Sequence, residues 1–476
     1  MKFSKRIQNL FSGENRKVDR TLLAVFLLIN LITLINSVIH NPEMGYDAEE
    51  HLLYITILPT RLPLYSESKE FFSPPLPYLA PSLLHHFCSR IFGDENIVEY
   101  RNLDCRKVAG KFSQFINVVL SLGSMLLILS IADVLRPNNR TFKLAAISLL
   151  GLLTVYYRTL AQVRGEPYVL FFMLLAIYLI AKILTNTKEL TWKNGVLLGF
   201  ILGLLVLSRQ WGFLIFPAIF GLVVLVYRSD KSLGIQFAKM LALSTAVAAL
   251  VGGWFYVHLY SEYGSFTAFN QTPTQFSLAN EPASFYRNTG LADFLIFKDP
   301  VRPTFDNQFI PIFYSDTWGD YWGFLVFVRD LSYLGVLGLG NEDQIAPYLG
   351  RVNFVSIVPS LALLGGAFVG AASVAKALIH KKKPDRATLL FGFLFLIVLV
   401  SFIGYLSFVI SFPVRQGDTI KSTYMLHLFV ILLFLAADFI DRIETHFPGF
   451  LKIYGALLAL VFLHNLPAMI SRYSYP

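Results

Sequence analysis

The sequence predicts an all-α polytopic membrane protein, and three observations carry that expectation. Of its 476 residues, 55% are hydrophobic and only 15% charged, with a mean hydropathy of +0.56. Apolar runs recur at close to the ~20 residues that a helix needs to cross the hydrocarbon of a bilayer. Lys and Arg gather in the short connections between alternate runs, which is the positive-inside pattern. A β-barrel would show short alternating strands instead. The net charge of +9 follows from that topology, so nucleic acid is not expected as a partner.

Eleven spans follow. The basic segment 1–20, with Lys2, Lys5, Arg6, Arg16, Lys17 and Arg20, places the N-terminus in the cytoplasm. The first span covers about 21–39; its length, with no small-residue cleavage site after it, argues against a cleaved signal. A long first outer loop, about 40–110, carries two interfacial helices, Glu49–Leu58 and, after Pro74-Pro75, Leu76–Phe87. Spans at about 112–134, 141–158, 166–184, 194–208, 211–227 and 237–260 come next. Only Arg209-Gln210 separates two of them, which predicts a tight helical hairpin with its tip at the outer face. A second long outer loop, about 261–350, is rich in aromatics, Pro and Asp. Spans at about 352–378, 388–412, 423–440 and 451–469 complete a single transmembrane domain over 1–476, with its C-terminus outside. Arg136, Arg140, Lys143, Lys182, Lys188, Lys193, Arg228, Lys231, Lys376, Lys381, Lys382, Lys383 and Arg386 all fall inside on this count.

The polar features that are not cytoplasmic anchors gather on the outer side. Asp47, Glu49 and Glu50 follow the first span; the bland reading is a helix N-cap. Glu67 to Tyr78, with its Pro-Pro pair, reads as a helix entry or simply a turn. Arg164-Gly165-Glu166-Pro167 joins two spans, and is either an ion pair or a phosphate contact. Arg209 sits between two apolar runs with no acid near it in sequence, which is costly at membrane depth. It either snorkels beside the belt residue Trp211 or binds an anion. Asp316, Trp318, Asp320 and neighbouring rings combine carboxylates with aromatic faces, the chemistry of a sugar site or of an interfacial belt. Arg415 and Lys421 place two cations outside, against the positive-inside trend, as a lipid-linked phosphate would require. Cys88 and Cys105 share the first outer segment, where a bridge is expected, with two free thiols as the alternative. Asn270-Gln271-Thr272 is a glycosylation sequon.

A first span, an acidic cluster opening one interfacial helix and an aromatic–Pro-Pro element opening a second together resemble the GT-C glycosyltransferases. The nearest branch is the protein O-mannosyltransferase and aminoarabinose transferase type, family 39/83. The matching pieces are Asp47-Ala48-Glu49, Phe72-Ser73-Pro74-Pro75, Arg164-x-Glu166 and Leu207-Ser208-Arg209-Gln210. The resemblance covers about 20–230, and beyond that only the layout. Ala48 splits the acidic pair of the family, and the large C-terminal domain and β-trefoil insert of some members have no counterpart here.

The resemblance implies a transferase that moves a sugar from a polyprenyl- or dolichyl-phosphate donor to a protein, lipid or glycan acceptor at the non-cytoplasmic face. Asp47 or Glu49 would be the base, worth about 10²–10⁴-fold. Arg164, Arg209, Arg415 and Lys421 would neutralise the donor phosphate. Glu166, Asp316, Asp320 and Trp318 would position sugar or acceptor. No essential metal is expected, because the cations match the phosphate; a divalent ion on Asp47 and a second-loop acid is the alternative. A bacterial plasma membrane is the expected location, with the ER membrane second. A transporter or flippase of a lipid-linked glycan is the rival function. It fits less well, because the spans are nearly free of charge at their centres.

Overall fold

A computed structural model describes residues 16–92, 104–326, 342–379, 384–414 and 417–473. Among the described residues the regular elements are helices, joined by irregular loops. In order, the α-helices are α1 Arg16–Ile39, α2 Ala48–Ile57, α3 Leu76–Phe92, α4 Cys105–Leu135, α5 Arg140–Leu150 and α6 Thr154–Ala161. Then come α7 Glu166–Thr185, α8 Trp192–Val206, α9 Ile215–Ser229 and α10 Lys231–Tyr263. The second outer loop holds the short α11 Ala283–Arg287 and α12 Thr289–Ala292, then α13 Phe309–Trp318. The last are α14 Glu342–Val355, α15 Ile357–Ile379, α16 Arg386–Ser411, α17 Leu426–His446 and α18 Phe450–Asn465.

Among the described residues nine helices are long and apolar enough to span a bilayer. The bent α5–α6 pair and the shorter apolar α8 account for the other two of the eleven expected segments. Large apolar side chains on the outer surface, such as Leu250, Phe220 and Phe368, are more than two-thirds exposed. Water would not tolerate such a girdle, whereas lipid does. At the ends facing away from the long loops, acids and cations pair: Arg136 and Arg442 both hold the buried Asp438, and Lys143 holds Asp133.

Two departures from the expected layout bear on function. The span expected at 141–158 is broken between Leu150 and Thr154, and its halves meet at 61°. The second half, α6, carries the fully buried Arg158, a guanidinium that needs a partner in the apolar interior. The α2 helix, expected over Glu49–Leu58, runs Ala48–Ile57 with Asp47 at its N-cap position, but Asp47 takes a left-handed backbone (φ 54°, ψ 28°) and its side chain caps nothing. The capping reading is therefore excluded, and the carboxylate is directed elsewhere. The Cys88–Cys105 bridge is formed, with Cα atoms 5.7 Å apart, and it ties α3 to the start of α4.

The α8 and α10 helices approach each other closely. Gly199 and Gly203 lie one turn apart, and a Cβ on Gly199 would come within 2.5 Å of the Ser244 carbonyl. Small residues let the two backbones touch, as membrane helix pairs require.

Candidate active site

The α1, α4, α6–α7, α8–α9, α10, α16 and α17 helices all end or begin on the side of the two long loops, and the polar clusters expected there converge. Arg209 stands at the hairpin tip, 4% exposed. Its Nε donates to Glu166 (3.2 Å) and its Nη1 to Glu70 (2.7 Å) and to the Ser73 hydroxyl. Arg164 grips the same Glu166 with both edges, at 3.0 and 3.2 Å. The acid that Arg209 lacked in sequence is thus supplied twice by tertiary structure. A buried charge is tolerable only when paired in this way.

Gly165 makes the junction possible. A Cβ there would lie 2.5 Å from the Ser208 carbonyl and 3.2 Å from Pro77. The Arg164–Glu166 turn can touch the hairpin tip only because position 165 has no side chain.

Asp47 is paired with Lys421 at 3.4 Å, and Asp418 stands 3.9 Å from the same ammonium. Lys421 is 6% exposed whereas the Asp47 side chain is 38% exposed. The Lys421 charge holds the Asp47 carboxyl well below the usual carboxylate range, at about 2. Glu49, the other half of the split acidic pair, is exposed, and its side chain makes no ion pair or hydrogen bond among the described residues. The geometry thus separates the two acids that the sequence left equivalent.

A layer of rings and cations joins Asp47 to Arg209. Arg164 lies 5.2 Å from the Tyr46 ring and 5.4 Å from the Tyr424 ring, and Lys421 lies 5.2 Å from Tyr46. Tyr424 and Arg209 in turn line a groove of about 830 Å³. Its walls are mostly apolar: Phe72, Trp211, Phe213, Leu214, Phe408 and Phe412. They come from the ends of α9 and α16 and from the first outer loop. Ser73, Gln210 and the sequon residue Asn270 add polar groups along it.

Asp316 and Asp320 stand apart from this groove, fully buried. Arg158 bridges them, with Nη2 2.9 Å from Asp316 and Nη1 3.4 Å from Asp320. Asp316 also accepts from the Tyr46 hydroxyl (2.8 Å), the Ser422 amide (2.7 Å) and the Ser422 hydroxyl (2.7 Å). Asp320 accepts from the backbone amides of Phe324, Leu325 and Val326. Trp318 is 3% exposed and packs in the main core. Asp316 and Asp320, expected to bind sugar or acceptor, thus hold the second loop against α6 and the Tyr46 hydroxyl, and their carboxylates present no free acceptor to a ligand. Arg415 lies outside the described residues.

Four residues of the cluster escaped the sequence reading. Glu70 was hidden in what looked like a turn, His51 in a helix start, and Tyr46 beside the acids. Arg158 alone had a signal, since an arginine inside an apolar run calls for a buried partner.

No family model matches the chain, and no curated protein matches it. Solved structures similar to it include the oligosaccharyltransferase of Archaeoglobus fulgidus, tethered to an acceptor peptide containing the NVT sequon. It is 14% identical at a TM-score of 0.44, over 95% of this chain and 54% of that one. The chain therefore spans about half of that protein's length. ArnT from Cupriavidus metallidurans is similar in its apo state (13% identity, TM-score 0.37, 87% of this chain and 77% of that one). It is also similar when bound to undecaprenyl phosphate (14%, 0.35, 89% and 78%).

Proposed function

We propose that the chain is a membrane glycosyltransferase that moves a sugar from a polyprenyl- or dolichyl-phosphate donor to an acceptor at the non-cytoplasmic face. The observation that carries this reading is an apolar groove with a cationic head, Arg209, joined through Arg164 and Tyr424 to an ionised carboxylate, Asp47. A polyprenyl tail fits between the ends of α9 and α16 while its phosphate meets the guanidinium. As the sugar leaves, negative charge grows on the phosphate, and fixed cations stabilise it. Asp47 orients the acceptor for direct displacement, which inverts the anomeric carbon.

In this reading Arg209, Arg164 and Lys421 do the work that a divalent ion would otherwise do, and turnover is expected to survive chelation with EDTA. A flippase would use a broken helix as a moving part. The bent α5–α6 pair is instead locked by Arg158 to Asp316 and Asp320. The test is turnover in membranes with a panel of radiolabelled polyprenyl-phosphate sugars, comparing wild type with Asp47→Asn. Labelled acceptor with the wild type and a loss of about 10²-fold or more in the variant is the expected result. Equal turnover in the two would remove Asp47 from its role. No product from any donor would overturn the donor class.

A further inference from the structure

We propose that the Glu70–His51 pair takes up a proton when the donor phosphate occupies Arg209, so that His51 is the proton-holding residue of the site. This rests on the donor-phosphate reading above and adds to it a residue and a charge balance.

The cluster has no positive charge to spare. Arg164 and Arg209 face Glu166 and Glu70, and Lys421 faces Asp47 with the more exposed Asp418 beside it. Such a cluster admits an anion only if positive charge is added or negative charge removed. Arg209 is the cation that both lines the groove and pairs with Glu70. A phosphate drawing on that guanidinium leaves Glu70, 3% exposed, with a weakened counter-charge. What else faces Glu70 is the Ser73 hydroxyl and the His51 Nδ1, 3.7 Å away.

His51 is completely buried. Its Nδ1 meets the Tyr78 hydroxyl of α3 at 2.8 Å, and its Nε2 has no partner. The charges around it are Glu70 from the first loop, Arg209 from the hairpin tip, Arg164 from the α6–α7 turn and Asp47 from its own helix start. Burial drives the imidazole down to about 4, so among these residues alone it stands neutral. Drawing Arg209 towards a phosphate weakens the cation that opposes protonation and strengthens the pull of Glu70. Both changes favour the imidazolium.

The reaction itself calls for that charge. The acceptor O–H bond breaks and its oxygen bonds the anomeric carbon. The sugar–phosphate bond breaks with its electron pair going to the phosphate oxygen. A singly charged diester becomes a doubly charged monoester, and the proton set free passes to solvent past the partly exposed Asp47, which, held ionised by Lys421, orients it but does not keep it. His51, already charged on donor binding, supplies a fixed cation as the second phosphate charge forms; it lies one helical turn from Asp47, with its amide donating to the Asp47 carbonyl at 3.1 Å.

The test is calorimetric titration of the purified full chain in detergent with farnesyl methyl phosphate, a diester whose single charge does not titrate near neutrality. Buffers of different ionisation enthalpy report the protons taken up between about pH 6 and pH 8. Wild type is expected to take up close to one proton per ligand, with affinity falling up to about tenfold per pH unit as pH rises. Glu70→Gln, with one negative charge fewer, is expected to bind without uptake and without pH dependence. His51→Gln is expected to lose the uptake and to bind more weakly at the low end of the range. Wild-type binding without uptake, or full uptake persisting in both variants, would overturn the inference while leaving the donor reading intact. Absence of binding to the wild type would overturn both. Should His51→Gln fail to fold, the pH profile of Glu70→Gln decides alone.

Discussion

Replacing Arg209 with Met separates what the hairpin tip does for the fold from what it does for a ligand. Arg209 is one of two cations on Glu166 and the principal cation on Glu70. In Arg209→Met, Glu166 keeps both edges of Arg164, so the cost falls on Glu70, which is buried and keeps only Ser73 and a neutral His51. Removing one partner of a buried ion pair costs about 3–5 kcal/mol, and the Met side chain replaces most of the lost packing volume. Removing the stranded charge as well, in Glu70→Gln with Arg209→Met, brings stability back to within about 1 kcal/mol of wild type. Stability is read from thermal unfolding in detergent, and function from sugar transfer in membranes. The double variant is expected to regain the unfolding midpoint but to stay about 10²–10³-fold down in turnover, the scale of losing one charge-stabilising group. Recovery of turnover together with stability would refute the ligand role and reduce Arg209 to a structural residue.

Three further outcomes follow from the same geometry. Arg158→Met strands Asp316 and Asp320 in the interior, and its unfolding midpoint is expected to fall by the equivalent of about 3–5 kcal/mol, with Asp316→Asn in the same chain recovering part of the loss. Gly165→Ala forces a Cβ to within 2.5 Å of the Ser208 carbonyl; turnover is expected to fall although no charged group is touched, and Gly199→Ala, remote from the cluster, distinguishes local from general disruption. Glu281 is buried, accepts from Asn307 at 2.7 Å, and is pushed up to about 7 by that burial. Its folded state therefore binds more protons than its unfolded state between its ordinary value and about 7, so the stability of the second loop falls as pH rises through that window and levels off above it. Amide exchange across residues 278–310 is expected to show this loss in wild type and not in Glu281→Gln.

How much of this was legible beforehand differs by element. Each of the eleven expected segments corresponds to a helical segment or to the bent pair, because burying backbone in lipid demands unbroken helix and ~20 apolar residues are its direct signature. The hairpin tip was legible for the same reason, since two polar residues between apolar runs must reach an interface. The break inside α5–α6 was not, because no proline or polar run marks it. Past the break, Arg158 meets a partner more than 150 residues away, Asp316, which no local pattern announces. The candidate site divides in the same manner. Asp47, Arg164, Glu166, Arg209 and Lys421 were visible as charges out of place in an apolar chain. Glu70 and His51 were not, because a polar residue in a polar loop carries no anomaly.

By itself, the sequence determined the membrane-spanning architecture, the side on which polar groups collect and the short set of charges that lipid would not tolerate unpaired. These follow from composition and periodicity, which act along the chain. Tertiary structure alone decided which charges pair. It placed Asp47 on Lys421 and left Glu49 exposed, committed Asp316 and Asp320 to Arg158, and brought Glu70 and His51 beneath Arg209. Pairing depends on distances of a few ångströms between segments far apart in sequence, and electrostatic energy in a buried site changes steeply over those distances.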